Sequence, residues 1–232
     1  PMPEGAFYLW VPAPEGDDIT SMRPRRRPGI SLSSATRLIR LPTSCLSDWF
    51  YKAGGVKLKT ITRMDLTDGA PSMWPPRHAV ITGASSGVGR AMAIQLSARD
   101  VRLSLAGRDE GRLGEVAFAC RGRGAKVDLI AVDVRDRAGM GKAMLEAHGR
   151  QPVDLLIANA GVSGGTDGDA RAIIGINISG MLNTVEPLIE PMIARGEGQI
   201  AMMSSLAGFK SFPNAPLYCA SKAAVRSYGE AL

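Results

Sequence analysis

The chain has 232 residues, a net charge of +6, 45% apolar and 22% charged residues. Those proportions are close to globular averages, and no run of eighteen apolar residues occurs, so no membrane span is expected. The three cysteines, Cys45, Cys120 and Cys219, make neither a disulfide framework nor a zinc pattern, which fits a reducing cytoplasm.

The first segment stands apart. Residues 1–72 carry scattered Pro and Gly and show no sustained period of 3.6 or 2, so they read as an irregular N-terminal extension outside the catalytic fold. Residues 4–11 resemble a strand of aspartate-type aminotransferases over too few positions to carry function. The cluster Arg23-Pro-Arg-Arg-Arg27 reads as a disordered linker or a nucleic-acid patch. No aromatic interleaving supports the patch, so no nucleic-acid partner is expected. The segment does not look like a secretory signal. Met73 and Met64 are alternative starts for the domain that follows, taken here as residues 73–232.

From residue 77 the pattern alternates. Residues 77–82 read as a short buried strand. Gly83-Ala-Ser-Ser-Gly87-Val-Gly89 then forms a glycine-rich turn that opens a helix. Such an arrangement sets backbone N–H groups and a positive helix end against a phosphate. Gly83 suits the tight turn, Gly87 the close approach of backbone to pyrophosphate, and Gly89 close helix–strand packing; Ser85 and Ser86 add donors, and Val88 lies between. An ordinary strand–helix turn is the alternative.

Further strands fall at 101–105, 127–132, 153–157 and 199–203. Helices start at Asp109, a good N-cap, and span about 138–148 and 170–195, with Pro187 and Pro191 expected to kink or break the last. Alternating strands and helices imply a doubly wound parallel sheet of Rossmann-like α/β architecture. His78 and His148 have no apparent partners, so no metal site is expected.

At the far end Tyr218 and Lys222 lie at i and i+4, which share one face of a helix. A fixed cation beside a phenol favours the phenolate. Bringing a pKa of about 10 near 7 needs roughly 4 kcal/mol. A charge at about 4 Å supplies a comparable amount at an effective dielectric of about 20. The pair can thus build a general acid/base. A solvated helix face is the bland alternative. Cys219, next to Tyr218, reads as a packing residue.

Thr82-Gly-Ala-Ser-Ser-Gly-Val-Gly89, Asn159-Ala-Gly161, Ser205 and Tyr218-x-x-x-Lys222 together resemble the short-chain dehydrogenases/reductases over residues 74–232. Where the family often has Asn-Asn-Ala-Gly, this chain has Ala158-Asn159-Ala160-Gly161. The resemblance implies hydride transfer between a nicotinamide cofactor and a small alcohol or carbonyl substrate. Tyr218 would move the proton, Ser205 (thirteen positions earlier) would hold the substrate oxygen, and Lys222 would lower the tyrosine pKa and bind the nicotinamide ribose. Ser204 is the lesser choice. Asn177 matches the helix asparagine that connects the lysine to solvent, or is an ordinary buried polar residue. Asn159, Ala160 and Gly161 would pass beneath the cofactor, unless Asn159 only satisfies neighbouring backbone. Asp133 and Val134 would lie at the adenine. Gly107 occupies the place where NAD-preferring relatives carry Asp, and Arg108 can pair with a 2′-phosphate, which favours NADP(H) over NAD(H).

Leu206, Phe209 and Phe212 read as a pocket wall or as core. The family implies a homo-oligomer for a complete chain. The last residue, Leu232, falls early in the active-site helix, so the C-terminal strands and substrate-covering segment of the family are expected to be missing. Two other functions stay open: a non-catalytic nucleotide-binding fragment, and a nucleotide-sugar epimerase or dehydratase.

Overall fold

The computed structural model describes residues 76–163 and 170–232, together with the strand β1, Phe7–Leu9. Arg23-Pro-Arg-Arg-Arg27, Cys45 and the rest of the expectations for residues 1–72 lie outside the described residues.

Five parallel strands make the sheet: β2 (His78–Thr82), β3 (Arg102–Gly107), β4 (Lys126–Ala131), β5 (Leu155–Ala158) and β6 (Gln199–Ser205). The order is β6-β5-β2-β3-β4. β1, from the segment read as an extension, lies antiparallel on the β6 edge with Phe7 opposite Ser205. Chain direction across the sheet reverses between β2 and β5. That reversal opens a crevice at the carboxyl ends of the strands.

Successive strand residues point to opposite faces, and the core divides accordingly. Ala79, Ile81, Leu103, Leu105, Leu155 and Ile157 pack under helices α1 (Gly87–Leu96) and α2 (Glu110–Arg121). Val80, Ala106, Ile130, Leu156 and Ala158 pack on the other face. That face is covered by α3 (Arg137–Arg150), α4 (Ala170–Arg195) and α5 (Pro216–Ala231). Strands buried on both sides read as continuous apolar runs, as β2 and β5 do. β4 sits at the edge and alternates instead.

Two details differ from the sequence expectation. α4 does not break at Pro187 or Pro191; its irregularity is a π turn at Gly175–Ser179, whose hydrogen bonds span one residue more than those of the α-helix around it. α4 is also long and apolar enough, by length and composition, to cross a membrane. Its apolar face, including Met181, Val185 and Leu188, is here packed with Met140 and Met144 of α3.

His78 is a satisfied core histidine. Its Nδ1 lies 2.7 Å from the Gln151 carbonyl and its Nε2 2.9 Å from Ser104 Oγ. Burial pushes its pKa down, so the neutral ring donates from Nδ1 and accepts at Nε2.

Candidate active site

The glycine-rich turn joins β2 to α1 at the reversal of the sheet. Gly83 (φ +66°) and Gly87 (φ +53°) adopt the left-handed backbone that glycine enters without strain. A Cβ on Gly89 would overlap the Gly83 carbonyl oxygen. Asn159 shapes the same turn from β5. Its Nδ2 donates to the Thr82 carbonyl at 3.0 Å, and the backbone N–H groups of Asn159 and Ala160 donate to Thr82 Oγ1 at 3.1 Å. The asparagine thus ties the end of β5 to the turn after β2. Thr82 was part of the motif, but its hydroxyl had no assigned role. Ser85 is partly exposed, and Ser86, at the N-cap of α1, is exposed and makes no side-chain cap hydrogen bond.

The other wall forms where β6 meets α5. Helix α5 buries Tyr218, Ser221 and Lys222, one stripe of its surface. Lys222 is 1% exposed, and its Nζ donates to the Met203 carbonyl at 2.8 Å. Burial lowers its pKa to about 8. Tyr218 moves the other way. Burial raises its pKa, and the Ser205 hydroxyl hydrogen bond offsets part of that. The net direction for the phenol is therefore upward. The ammonium sits 5.8 Å from the ring centroid and is directed to the Met203 carbonyl. The two serines divide their work: Ser204 Oγ donates to the Lys222 carbonyl at 2.8 Å and anchors α5 to β6, while Ser205 faces the phenol.

Asn177 sits in the π turn and is buried. Its Oδ1 accepts from Val162 N–H at 2.8 Å. Its Nδ2 donates to the Val162 carbonyl at 2.9 Å and to Ser221 Oγ at 3.0 Å. Ser221 in turn donates to the Tyr218 carbonyl at 2.7 Å. Sequence reasoning missed Ser221, although its i+3 spacing from Tyr218 was a signal. Gly161 lies over this set: a Cβ there would stand 3.2 Å from Asn177 Oδ1 and 3.3 Å from Lys222 Nζ. Asn177, Gly161, Tyr218 and Lys222 are thus brought together. Cys219 is buried, with its Sγ 3.2 Å from Phe212 N. Leu206, Phe209 and Phe212 are not core, being 42%, 53% and 38% exposed, and Arg226 lies over the Phe209 ring at 4.8 Å.

A third group stands at the ends of β3 and β4. Arg108 follows β3 directly and is exposed. Asp133 is paired with Arg135, whose hydrogen bonds hold the carboxyl below its usual range; Arg108 adds a smaller pull. Val134 is buried against Gly180 of α4.

Residues 77–232 match the family model for short chain dehydrogenases. The chain belongs to that family. An uncharacterised oxidoreductase of Staphylococcus saprophyticus is 36% identical over 162 residues, 66% of this chain and 69% of that protein. A 3-ketoacyl-ACP reductase structure from Sinorhizobium meliloti has a TM-score of 0.59 at 31% identity, covering 65% of this chain and 63% of that one. A short chain dehydrogenase/reductase from Burkholderia phymatum, in complex with NAD, has a TM-score of 0.60 at 33% identity and covers 66% and 58%. The chain spans 58% to 69% of the length of these three proteins, and 64% of an uncharacterised oxidoreductase of Myxococcus xanthus.

Proposed function

We propose that this short-chain dehydrogenase is an NADP(H)-preferring oxidoreductase acting on an alcohol or carbonyl substrate, with Tyr218 as general acid/base. The observation that carries the reading is the buried Ser205–Tyr218–Lys222 set at the carboxyl end of β6, beside the switch-point crevice. The crevice fits a dinucleotide. Two left-handed glycines open the turn after β2, and Gly161 leaves the space that a Cβ would fill above Asn177 and Lys222.

The cofactor, when bound, supplies or accepts the hydride. The chain's residues position and protonate. Ser205 Oγ holds the substrate oxygen beside the phenol. Tyr218, a phenol protonated at neutral pH and raised further by burial, would donate its proton to the oxygen that gains negative charge. Lys222, mostly protonated at neutral pH with a pKa of about 8, places its charge under the ribose end of the site. Asn177 fixes the Val162 backbone and Ser221, and so the stretch over the lysine. Arg108, exposed at the end of β3, would pair with a 2′-phosphate and so favour NADPH over NADH; Asp133 and Val134 would hold the adenine. Residues 73–232 form the catalytic domain, and a small molecule, with no nucleic acid and no membrane span, is the partner. A homo-oligomer in the cytoplasm fits the family and the free, buried Cys120 and Cys219.

The test is NADPH consumption by the chain against a panel of aldehydes and ketones, alongside calorimetric titration of both cofactors. NADPH-dependent turnover of a carbonyl supports the reading. Tight binding without turnover of any member leaves a nucleotide-binding protein in its place.

A further inference from the structure

The loop after β4 holds a charged residue that the proposed mechanism does not use. Arg135 N–H donates to Asp133 Oδ1 at 2.9 Å, its Nε lies 3.1 Å from both carboxylate oxygens, and its Nη2 donates to Oδ2 at 2.7 Å. The loop itself is fixed to α4. Asn183 Nδ2 donates to the Val134 carbonyl at 2.9 Å, and Val134 packs where Gly180 has no side chain. The aliphatic stem of Arg135 passes Gly175, with Cδ 3.6 Å from where a Cβ would stand. The guanidinium therefore starts from a fixed point and fixes the carboxylate in turn.

The sheet gives this loop its place along a bound dinucleotide. The glycine-rich turn after β2 takes the middle of the crevice, and the Tyr218–Lys222 wall lies on the β6 side. An extended dinucleotide with its nicotinamide at Tyr218 would bring its adenosine to the ends of β3 and β4. A carboxylate offers about four acceptor sites. Arg135 makes four contacts with it, two on each oxygen; the two from Nε share a single hydrogen at 3.1 Å and are the longest, and there the exocyclic amine of adenine would share an oxygen.

We propose that Arg135 is a positioning residue for the adenosine half of the cofactor: it orients the Asp133 carboxylate as the acceptor for adenine and does not itself touch the 2′-phosphate. The inference rests on the dinucleotide reading above. It separates two arginines by role, with Arg108 distinguishing NADPH from NADH and Arg135 serving both equally.

The experiment is calorimetric titration of NADPH and NADH on the full chain, Arg135→Ala, Arg135→Lys, Asp133→Asn, and the double variant Asp133→Asn with Arg135→Ala. Arg135→Ala should weaken both cofactors by the same factor, about three- to tenfold, the effect of weakening one ordinary hydrogen bond. Arg135→Lys should recover part of the loss. The double variant should bind no more weakly than Asp133→Asn. Thermal midpoints should barely move, because the pair is half-exposed and solvent screens it. A loss confined to NADPH, additive losses in the double variant, or unchanged binding by Arg135→Ala overturns the inference. If the parent chain binds neither cofactor, the dinucleotide reading falls and takes this inference with it. Parental binding with an unaffected Arg135→Ala sinks the inference alone.

Discussion

At the carboxyl end of β6 the charged group is Lys222, 1% exposed and bonded through Nζ to the Met203 carbonyl. At the ends of β3 and β4 the charged groups are Arg108, Asp133 and Arg135, which reach solvent. Burial shifts the lysine far from its ordinary pKa, because water no longer stabilises the ammonium. Asp133 and Arg135 are paired directly, and salt screens that exposed pair. One end of the crevice is therefore tuned by desolvation and suits proton chemistry. The other is held by ion pairs and suits recognition of a charged, hydrated group.

The largest expected effect breaks the catalytic end alone. Tyr218→Phe should lower turnover by about 10²–10⁴-fold, the usual worth of general acid/base catalysis, while leaving cofactor affinity nearly intact. Steady-state rates and a cofactor titration check both halves. A phenylalanine variant that keeps more than half of the turnover removes the tyrosine from the mechanism.

Next in size is the pH dependence of stability from Lys222. Its folded pKa of about 8 lies below the ordinary 10.5, so between those values the unfolded chain binds more protons. Stability from this group then rises with pH across that window, by on the order of 3 kcal/mol in all. Below pH 8 the lysine is charged in both states, and the cost of burying its charge is fully present. Lys222→Met should be more stable than the parent at pH 7, and the gap should close toward pH 10. Melting curves for the two proteins at several pH values read this directly; a gap independent of pH contradicts the buried ammonium.

At the exposed end, Arg108→Ala should weaken NADPH about 10- to 150-fold with little change for NADH, as a charge-assisted phosphate contact of about 1.5–3 kcal/mol requires. The loss should shrink at high salt. Equal dissociation constants of the parent for the two cofactors would end the NADP(H) preference.

The smallest effect is purely local. Asp109 caps α2 by accepting from Arg112 N–H at 3.0 Å. Asp109→Ala should cost about 1 kcal/mol of stability and leave the chemistry at Tyr218 untouched. A loss of turnover at saturating cofactor would show that the two ends are more tightly coupled than their separation on the sheet suggests.

Much of this was legible in the residues. The apolar runs at 77–82 and 153–157 announced central strands, because a strand buried on both faces cannot alternate. Asp109 marked a helix start, and the glycine-rich turn and the Tyr218–Lys222 spacing marked the crevice. Less was legible where polarity is set by distant partners. Asn159 read as a cofactor contact, Ser204 as the lesser choice of substrate serine, and Ser221 was passed over; their bonds to Thr82, Lys222 and Asn177 depend on the fold. Pro187 and Pro191 suggested a break that did not occur, while the π turn at Gly175–Ser179 had no local signature.

By itself the sequence determined the alternation of strands and helices, the parallel sheet and the residue types at its crest, since these follow from periodicity and from spacing along one element. Tertiary structure decided the protonation and pairing of those residues. Whether Lys222 is a solvated cation or a buried one with a pKa of about 8 depends on β6 passing beneath α5. Whether the Tyr218 phenol rises or falls in pKa depends on how deeply it is buried and on its hydrogen bond with Ser205. Such quantities depend on solvent exclusion and on groups far apart in the chain, and no local pattern encodes either.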